Sequence, residues 1–143
     1  MISTRGRYAL KVMIELSQGD TKGYISLKSI ARNQNISEKY LESIVAMLAR
    51  KNLVTGLRGK KGGYILTKKP EDYTVAEIIE ATEGTLAPVA CLESGADKCE
   101  RADSCKTLPV WKNLEVIIRK YLESVTLADV VADNVPEESF FKI

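Results

Sequence analysis

The chain has 143 residues, 45% of them hydrophobic, which is enough for one domain with a core, or one domain with an extension. No apolar run approaches the roughly 20 residues that a membrane span needs, and no signal peptide is evident, so we expect a cytoplasmic protein without a membrane partner. Residues 1–70 hold 14 Lys and Arg against 4 Asp and Glu, whereas residues 71–143 hold 7 against 15. The basic half suits a polyanion such as a nucleic acid.

The first predicted helix covers residues 4–18, where apolar residues recur on one face. Ser3 or Thr4 is the expected cap. Arg5 and Arg7, near its start, are either ordinary solvated charges or contacts to DNA backbone phosphates.

Residues 27–34 and 38–51 are predicted to form a helix-turn-helix, because each segment places apolar residues at steps of three and four. Ser37 is the expected cap of the second helix. The N-terminal part of that recognition helix is expected to face base edges in the major groove, although Tyr40 could equally be a core residue. The predicted DNA contacts around this motif are Lys28, Ser37, Glu38, Lys39, Tyr40, Glu42 and Ser43.

A β-hairpin wing is predicted after the helix-turn-helix, from extended runs at residues 53–54 and 64–66 that flank a basic, glycine-rich tip. Residues 24–26 are expected to form a short strand that pairs with it. Glycines let the tip approach a surface closely, and a narrow minor groove favours an inserted arginine. The alternative is an ordinary hairpin with a solvated tip. The predicted DNA contacts here are Arg58, Gly59, Lys60 and Lys61.

A further helix is predicted from a capping box, in which Thr74 is the cap and Glu77 reaches back, to a stop at Gly84. Residues 1–84 are therefore predicted to be a winged helix-turn-helix DNA-binding domain.

The three cysteines, Cys91, Cys99 and Cys105, lie together in a polar loop within residues 85–108. Core cysteines usually sit singly among apolar neighbours, and a disulfide would leave one thiol unpaired. Thiol redox sensing and metal binding remain, the latter as an iron–sulfur cluster or zinc, although the spacing is not that of a zinc ribbon. An enzyme with a cysteine nucleophile is not expected, because the chain has no histidine to form a Cys–His pair. A small-molecule substrate is not expected either.

Residues 109–143 are predicted to be a dimerisation helix and a tail. The helix, at residues 109–125, has an apolar face that is broad for a small domain, which favours a homodimer over packing within one chain. A short helix is expected to restart at residues 126–129. The tail is acidic and then apolar, and we expect its last side chains to dock, namely Phe140, Phe141 and Ile143.

The opening STRGRYAL, the wing RGKKGGYIL and the cysteine loop followed by Trp111 together resemble one family. It is the bacterial winged helix-turn-helix family that includes the iron–sulfur assembly regulator IscR, the nitric-oxide sensor NsrR and the cysteine-metabolism repressor CymR. The resemblance covers essentially the whole chain and is closest to the IscR-like, cluster-binding branch. It implies a mostly α fold with a small β-hairpin wing, and a dimer that binds a partly palindromic double-stranded DNA operator as a repressor.

The resemblance also implies roles for particular residues. Cys91, Cys99 and Cys105 would be thiolate ligands of an iron–sulfur cluster, [2Fe–2S] rather than [4Fe–4S]. Glu42 and Arg58 match family positions that face DNA, with Arg58 in the minor groove.

Two departures from the family leave the fourth cluster ligand open. Leu108 stands where the assembly regulator has a completing histidine, and Arg7 and Tyr8 occupy the region where the nitric-oxide sensor has an aspartate. The candidates for the fourth ligand are a partner-chain group, solvent, or one of Asp97, Glu100 and Asp103. The alternative hypothesis is a cluster-free regulator that responds through thiol oxidation or a protein partner.

Overall fold

The computed structural model describes residues 1–18 and 23–137, and it confirms the mostly helical fold with a small hairpin wing. The helices are α1 (Thr4–Gln18), α2 (Leu27–Gln34), α3 (Glu38–Arg50), α4 (Val75–Glu83), α5 (Leu108–Ser124) and α6 (Leu127–Val131). Strands β1 (Val54–Leu57) and β2 (Gly63–Leu66) form the antiparallel wing, and 3-10 turns lie at Pro70–Asp72, Ala90–Leu92 and Ala102–Ser104.

Parts of the sequence-based expectations fall outside these ranges. Residues 19–22 are not among the described residues, and neither are Phe140, Phe141 and Ile143, whose docking is expected from the sequence. Among the described residues, no helix has both the length and the apolar character needed to cross a membrane.

The main core lies where α1 packs on α3, α4 and α6. The apolar residues of α2 and α3 that recur at steps of three and four all point into it, which confirms the predicted helical faces. These residues are Ile30, Ala31, Leu41, Ile44, Val45 and Leu48.

The caps of the helix-turn-helix fix the direction of α3. Ser37, as predicted, accepts a hydrogen bond from the backbone N–H of Tyr40 at 3.1 Å. Ser26 caps α2 in the same way, and Asn35 ends α2 in a left-handed conformation with φ of 53°. Because an Asn tolerates this conformation better than most residues, the chain can turn sharply into α3 here.

The buried Tyr73 joins the base of the wing to α4. Its hydroxyl donates to the Leu53 carbonyl at 2.7 Å, and accepts from the backbone N–H groups of Thr67 at 2.9 Å and Lys68 at 3.0 Å. One side chain therefore satisfies three backbone groups on both strands of the hairpin base.

The segment after α5 returns to the winged-helix body. The Val75 N–H donates to the Val125 carbonyl at 2.9 Å, and the Leu127 N–H donates to the Tyr73 carbonyl at 3.0 Å. Leu127 is fully buried in the main core. The predicted short helix is α6, and it begins with a reciprocal capping box between Thr126 and Asp129.

Two predicted caps are wrong in detail. Thr74 caps α4 as expected, but the Glu77 carboxylate binds Lys68 Nζ at 3.0 Å instead of reaching back to the cap. At α1, the Ser3 hydroxyl donates to the Glu83 carboxylate at 2.6 Å rather than accepting from the helix. In both cases a charged side chain brought close by the fold replaces the local partner.

Candidate DNA interface and cysteine site

The exposed face of α3 is opposite the face that enters the core. Glu38, Lys39, Glu42 and Ser43 are all exposed there, while Leu41 and Ile44 are buried. Lys28 is exposed in the first turn of α2, and the Ser37 hydroxyl is occupied as the α3 cap. The predicted contacts on the helix-turn-helix thus lie on surfaces that a duplex can reach.

Tyr40 is half-buried and packs against α1. Its ring meets that of Tyr8 edge to face, with centroids 6.1 Å apart and planes at 89°. Lys11 Nζ lies 5.3 Å from the centre of the Tyr8 ring. Tyr40 therefore fixes the start of α3 against α1, and a contact of its hydroxyl with DNA stays a prediction.

The wing tip is exposed at Arg58, Gly59, Lys60 and Lys61. A hydrogen bond of 2.9 Å from the Gly62 N–H to the Gly59 carbonyl closes the turn. A Cβ on Gly62 would overlap the Leu57 carbonyl oxygen, so this turn requires glycine. The turn therefore holds three cationic side chains at one projecting tip.

The segment before α2 pairs with strand β2 of the wing. Ile25 and Tyr64 exchange two backbone hydrogen bonds, of 3.0 and 2.8 Å, in an antiparallel bridge. This confirms the strand pairing expected for residues 24–26. It also joins the wing to the segment that leads into α2.

The first turn of α1 is capped by the carboxylate of Glu83, which is the last residue of α4. Glu83 Oε1 accepts from the Ser3 N–H at 2.9 Å, the Ser3 hydroxyl at 2.6 Å and the Gly6 N–H at 2.9 Å. Burial alone would raise the pKa of Glu83, but these hydrogen bonds and the charge of Arg5 hold that pKa below its ordinary value. Sequence reasoning missed this role of Glu83; a glycine in the first turn of a helix was the available sign of a close approach.

The two arginines of this turn are placed differently. Arg7 is exposed, and its guanidinium donates to Thr4 Oγ1 at 3.1 Å. Arg5 is half-buried, and its Nε is enclosed without a hydrogen-bond partner in the described part of the chain.

Cys91, Cys99 and Cys105 line one open cavity of about 250 Å³. The first two are exposed and Cys105 is half-buried. The fold therefore brings together three thiols that are spread over 15 residues of sequence. The other lining residues are Leu92, Lys98, Ala102, Leu108 and Lys112.

Cys105 lies just before the start of α5. Its Sγ is 3.4 Å from Thr107 Oγ1. The hydrogen bond from Thr107, together with the backbone N–H groups of Thr107 and Leu108, lowers the pKa of this thiol. A larger thiolate fraction makes Cys105 both a better metal ligand and a better nucleophile.

In the described part of the chain, the cysteine cavity does not form a site for a single metal ion. Within the described ranges, no three side chains of the Cys, Asp and Glu types are close enough to hold one metal ion. A cluster spreads its thiolates over more than one iron, so it does not require all three thiolates to meet at one atom. Lys98 and Lys112 also bring positive charge that offsets the thiolates.

The cavity lining also bears on the fourth ligand. Leu108, at the position of the family histidine, does line the cavity, whereas Asp97, Glu100 and Asp103 are not among its lining residues. The exposed Asp103 carboxylate instead lies 4.0 Å from Lys98 Nζ.

Helix α5 has no buried residue, although its apolar positions recur at helical spacing. Val110 is 56% exposed, Val116 is 52% and Ile117 is 44%. Beside this face runs an apolar groove of about 610 Å³. Its lining combines the first two residues of the chain, the start of the cysteine loop and α5, and includes Met1, Ile2, Leu86, Val89, Trp111 and Ile118.

Together the helix-turn-helix, its wing and their basic surfaces define a DNA-binding regulator of the winged-helix class. Residues 2–133 match the family model Rrf2, described as an iron-dependent transcriptional regulator. The chain belongs to the Rrf2 family of transcriptional regulators, which confirms the resemblance drawn from the sequence. Regulators of this family bind DNA and function as dimers.

Relatives and solved structures agree with this assignment. The chain is 39% identical over 131 residues to the HTH-type transcriptional regulator CymR of Bacillus subtilis, across 92% of this chain and 89% of that protein. The solved structure of CymR, the global cysteine regulator of B. subtilis, is similar with a TM-score of 0.74 at 38% identity, over 93% of this chain and 97% of that one. IscR of T. potens gives a TM-score of 0.70 at 35% identity, over 100% and 93%.

Proposed function

We propose that this regulator is a dimeric repressor whose DNA binding is set by an iron–sulfur cluster held by Cys91, Cys99 and Cys105. The observation that carries the proposal is that all three thiols line one cavity at the start of α5. When bound, such a cluster supplies a centre whose charge and integrity respond to iron and to oxidants. We favour [2Fe–2S] over [4Fe–4S], from the family resemblance.

The DNA-binding side chains divide by groove. Arg58 at the wing tip enters the minor groove, with Lys60 and Lys61 on the flanking phosphates. The exposed N-terminal part of α3, including Glu42, enters the major groove. Arg5, Arg7 and Lys28 contact backbone phosphates, which position the protein without reading sequence.

The cysteine segment connects the DNA-binding half to α5. Between Ala90–Leu92 and Ala102–Ser104 it contains only short turns, and nearly all of its residues are exposed. If three thiolates bound one group, they would close the chain between them into short loops. Closed loops have fewer conformations, so the segment would be held in a single arrangement. α5 is in turn joined to α4 by Arg119 and Glu80, whose side chains are 2.8 Å apart.

Ordering at the cysteines can therefore alter how α5 leaves the winged-helix body. In a dimer that joins two copies through α5, this angle sets the distance between the recognition helices. Operator half-sites lie about 34 Å apart or at a multiple of it, so a small change in that distance weakens binding strongly. The fourth ligand comes from the partner chain or from solvent, because the acidic side chains of the loop are not among the cavity-lining residues.

The test is purification without oxygen, followed by visible absorption, iron and sulfide analysis, and operator footprinting. We expect a coloured protein with iron bound, and loss of the colour in a Cys99→Ser variant. A colourless, iron-free protein that stays so after reconstitution with iron and sulfide would eliminate the cluster.

The second candidate is a cluster-free regulator that senses oxidation through its thiols. The lowered pKa of Cys105 favours it, since thiolates are oxidised faster than thiols. In this case replacing all three cysteines with alanine would abolish the peroxide sensitivity of DNA binding, while iron would have no effect on the unmodified protein.

A further inference from the structure

We propose that Glu83 is a positioning residue for DNA binding, which fixes the first turn of α1, and Arg5 with it, to the point where the cysteine segment leaves α4. This inference rests on the proposed phosphate contacts of Arg5 and Arg7.

The contact is specific in its geometry. One carboxylate oxygen of Glu83 accepts three hydrogen bonds, from the Ser3 N–H, the Ser3 hydroxyl and the Gly6 N–H, at 2.6 to 2.9 Å. The first N–H groups of a helix have no partner within the helix, and a carboxylate there is further stabilised by the helix dipole. The residues joined are 77 to 80 positions apart in the sequence, so this is a tertiary contact and not a local cap.

Gly6 is the residue that makes room for this carboxylate. A Cβ built on Gly6 would lie 2.6 Å from Glu83 Oε1 and 3.1 Å from Glu83 Cγ. Any larger side chain at this position must push Glu83 away from the first turn. The fold therefore offers two independent ways to break the same contact, one from each helix.

Glu83 is also the last residue of α4, two positions before the cysteine segment begins at residue 85. Gly84 caps the end of α4, and Leu86 and Ala87, which follow Thr85, are buried. Met1 and Ile2 line the same apolar groove as Leu86 and Val89. The residues before α1 and the start of the cysteine segment therefore lie along one groove, and Glu83 is the polar contact that joins α1 to the end of α4.

Arg5 is the cation that lies within this first turn of α1. Its Nε is enclosed but has no hydrogen-bond partner in the described ranges, while Glu83 interacts with it electrostatically. Arg5 as a whole is only half-buried, so its side chain can still meet a phosphate at the protein surface. A guanidinium fixed in advance loses less conformational entropy when it binds phosphate.

The experiment compares operator affinity for Glu83→Ala, Glu83→Gln and Gly6→Ala, with Glu71→Ala as the matched loss of an exposed carboxylate. Each protein is the full chain in the state in which it is isolated, with folding checked by circular dichroism and iron content measured. Fluorescence anisotropy on a labelled operator, at several salt concentrations, gives the affinity and the number of phosphate contacts.

We expect Glu83→Ala and Gly6→Ala each to weaken binding about tenfold and to reduce the salt slope by about 1, as when one phosphate contact is lost. The double variant should lose no more than either single variant, because both break one contact. Glu83→Gln keeps an acceptor for Ser3 and Gly6, so it should retain the original affinity. Iron content should be the same in all variants.

A simple charge effect would have the opposite sign. Removing a carboxylate near DNA would then strengthen binding in Glu83→Ala, Glu83→Gln and Glu71→Ala alike, and that result would overturn the proposal. Unchanged binding in Glu83→Ala would also overturn it. If Glu83→Ala fails to fold, Ser3→Ala replaces it, because this change removes only the 2.6 Å hydrogen bond to Glu83. Ser3→Ala should weaken operator binding two- to threefold. An unchanged affinity would contradict the positioning role of Glu83.

The Arg5→Ala and Arg7→Ala variants separate this proposal from the one on which it rests. If they bind DNA normally, the phosphate contacts are wrong and the positioning role falls with them. If they bind weakly while Glu83→Ala binds normally, the phosphate contacts stand and only the role of Glu83 is wrong.

Discussion

Helices α3 and α5 carry similar apolar patterns but have opposite fates. In α3 the residues spaced by three and four, such as Leu41 and Ile44, are fully buried in the chain's own core. In α5 the same spacing leaves every residue at least partly exposed. The pattern specifies which face is apolar, whereas the presence of a covering surface decides whether that face is buried.

The same contrast separates two larger regions. The winged-helix body, α1 to α4 with α6, holds the main core. No residue of the segment 88–124 is buried. A body whose apolar residues are buried in its own core keeps one shape and can bind a duplex of fixed geometry. A segment without a core of its own takes its conformation from the group or partner that binds it. This division suits a regulator, in which the second region must change state without unfolding the first.

The largest expected effect is on the wing tip. Replacing Arg58, Lys60 and Lys61 with glutamate places three negative charges against phosphates. Operator affinity should fall at least about 100-fold with little change in thermal stability, because the tip is exposed. Anisotropy titrations and a thermal melt measure the two quantities, and unchanged affinity for every duplex would refute the assignment of this half to DNA.

A charge on the exposed face of α5 should break the dimer and leave the body folded. Ile117, 44% exposed, would carry it as Ile117→Glu. We expect a monomer with operator affinity lower by about 30-fold, since one chain reaches only one half-site. Sedimentation measures the mass of the assembly, and Ile117→Leu serves as the control. A dimeric Ile117→Glu protein would show that the dimer does not form through this face of α5.

Loss of the Tyr73 hydroxyl should affect the body and not the assembly. Tyr73→Phe removes the bond to the Leu53 carbonyl and the acceptor for Thr67 and Lys68. The free energy of unfolding should fall by about 1–3 kcal/mol, because the carbonyl of the buried Leu53 loses its donor. Chemical denaturation measures it, with the exposed Tyr24→Phe as control; equal stability of the two variants would mean that water replaces the hydroxyl.

The smallest expected effect is on Cys105 in the exposed segment. Because the Thr107 hydrogen bond lowers the pKa of this thiol, its thiolate forms at lower pH than that of an ordinary cysteine. Thr107→Ala should raise the midpoint pH of alkylation at Cys105 and slow the reaction a few-fold at neutral pH. Mass spectrometry of the alkylated peptide over a pH series follows this site alone, and an unmoved midpoint would assign the lowered pKa to the backbone N–H groups.

Local rules predicted most of the fold. The bounds of α1 match the prediction, Ser37 caps α3, and the glycine-rich tip forms the turn of the wing. Each depends on residues within a few positions of one another, and helical periodicity, capping and turn chemistry act at that range. Local rules failed where a distant charge competed, as when Lys68 drew Glu77 away from its capping box.

The amino-acid sequence by itself determined the helix-turn-helix, the basic wing and the grouping of three cysteines in one polar stretch. Only the tertiary structure decided that the three thiols share a cavity, that the loop carboxylates are not among its lining residues, and that Glu83 caps a helix 77 residues earlier. Short-range order follows from steric limits on neighbouring residues. A hydrogen-bond or charge partner is chosen instead by distance in space, and every group that folding brings near competes for it.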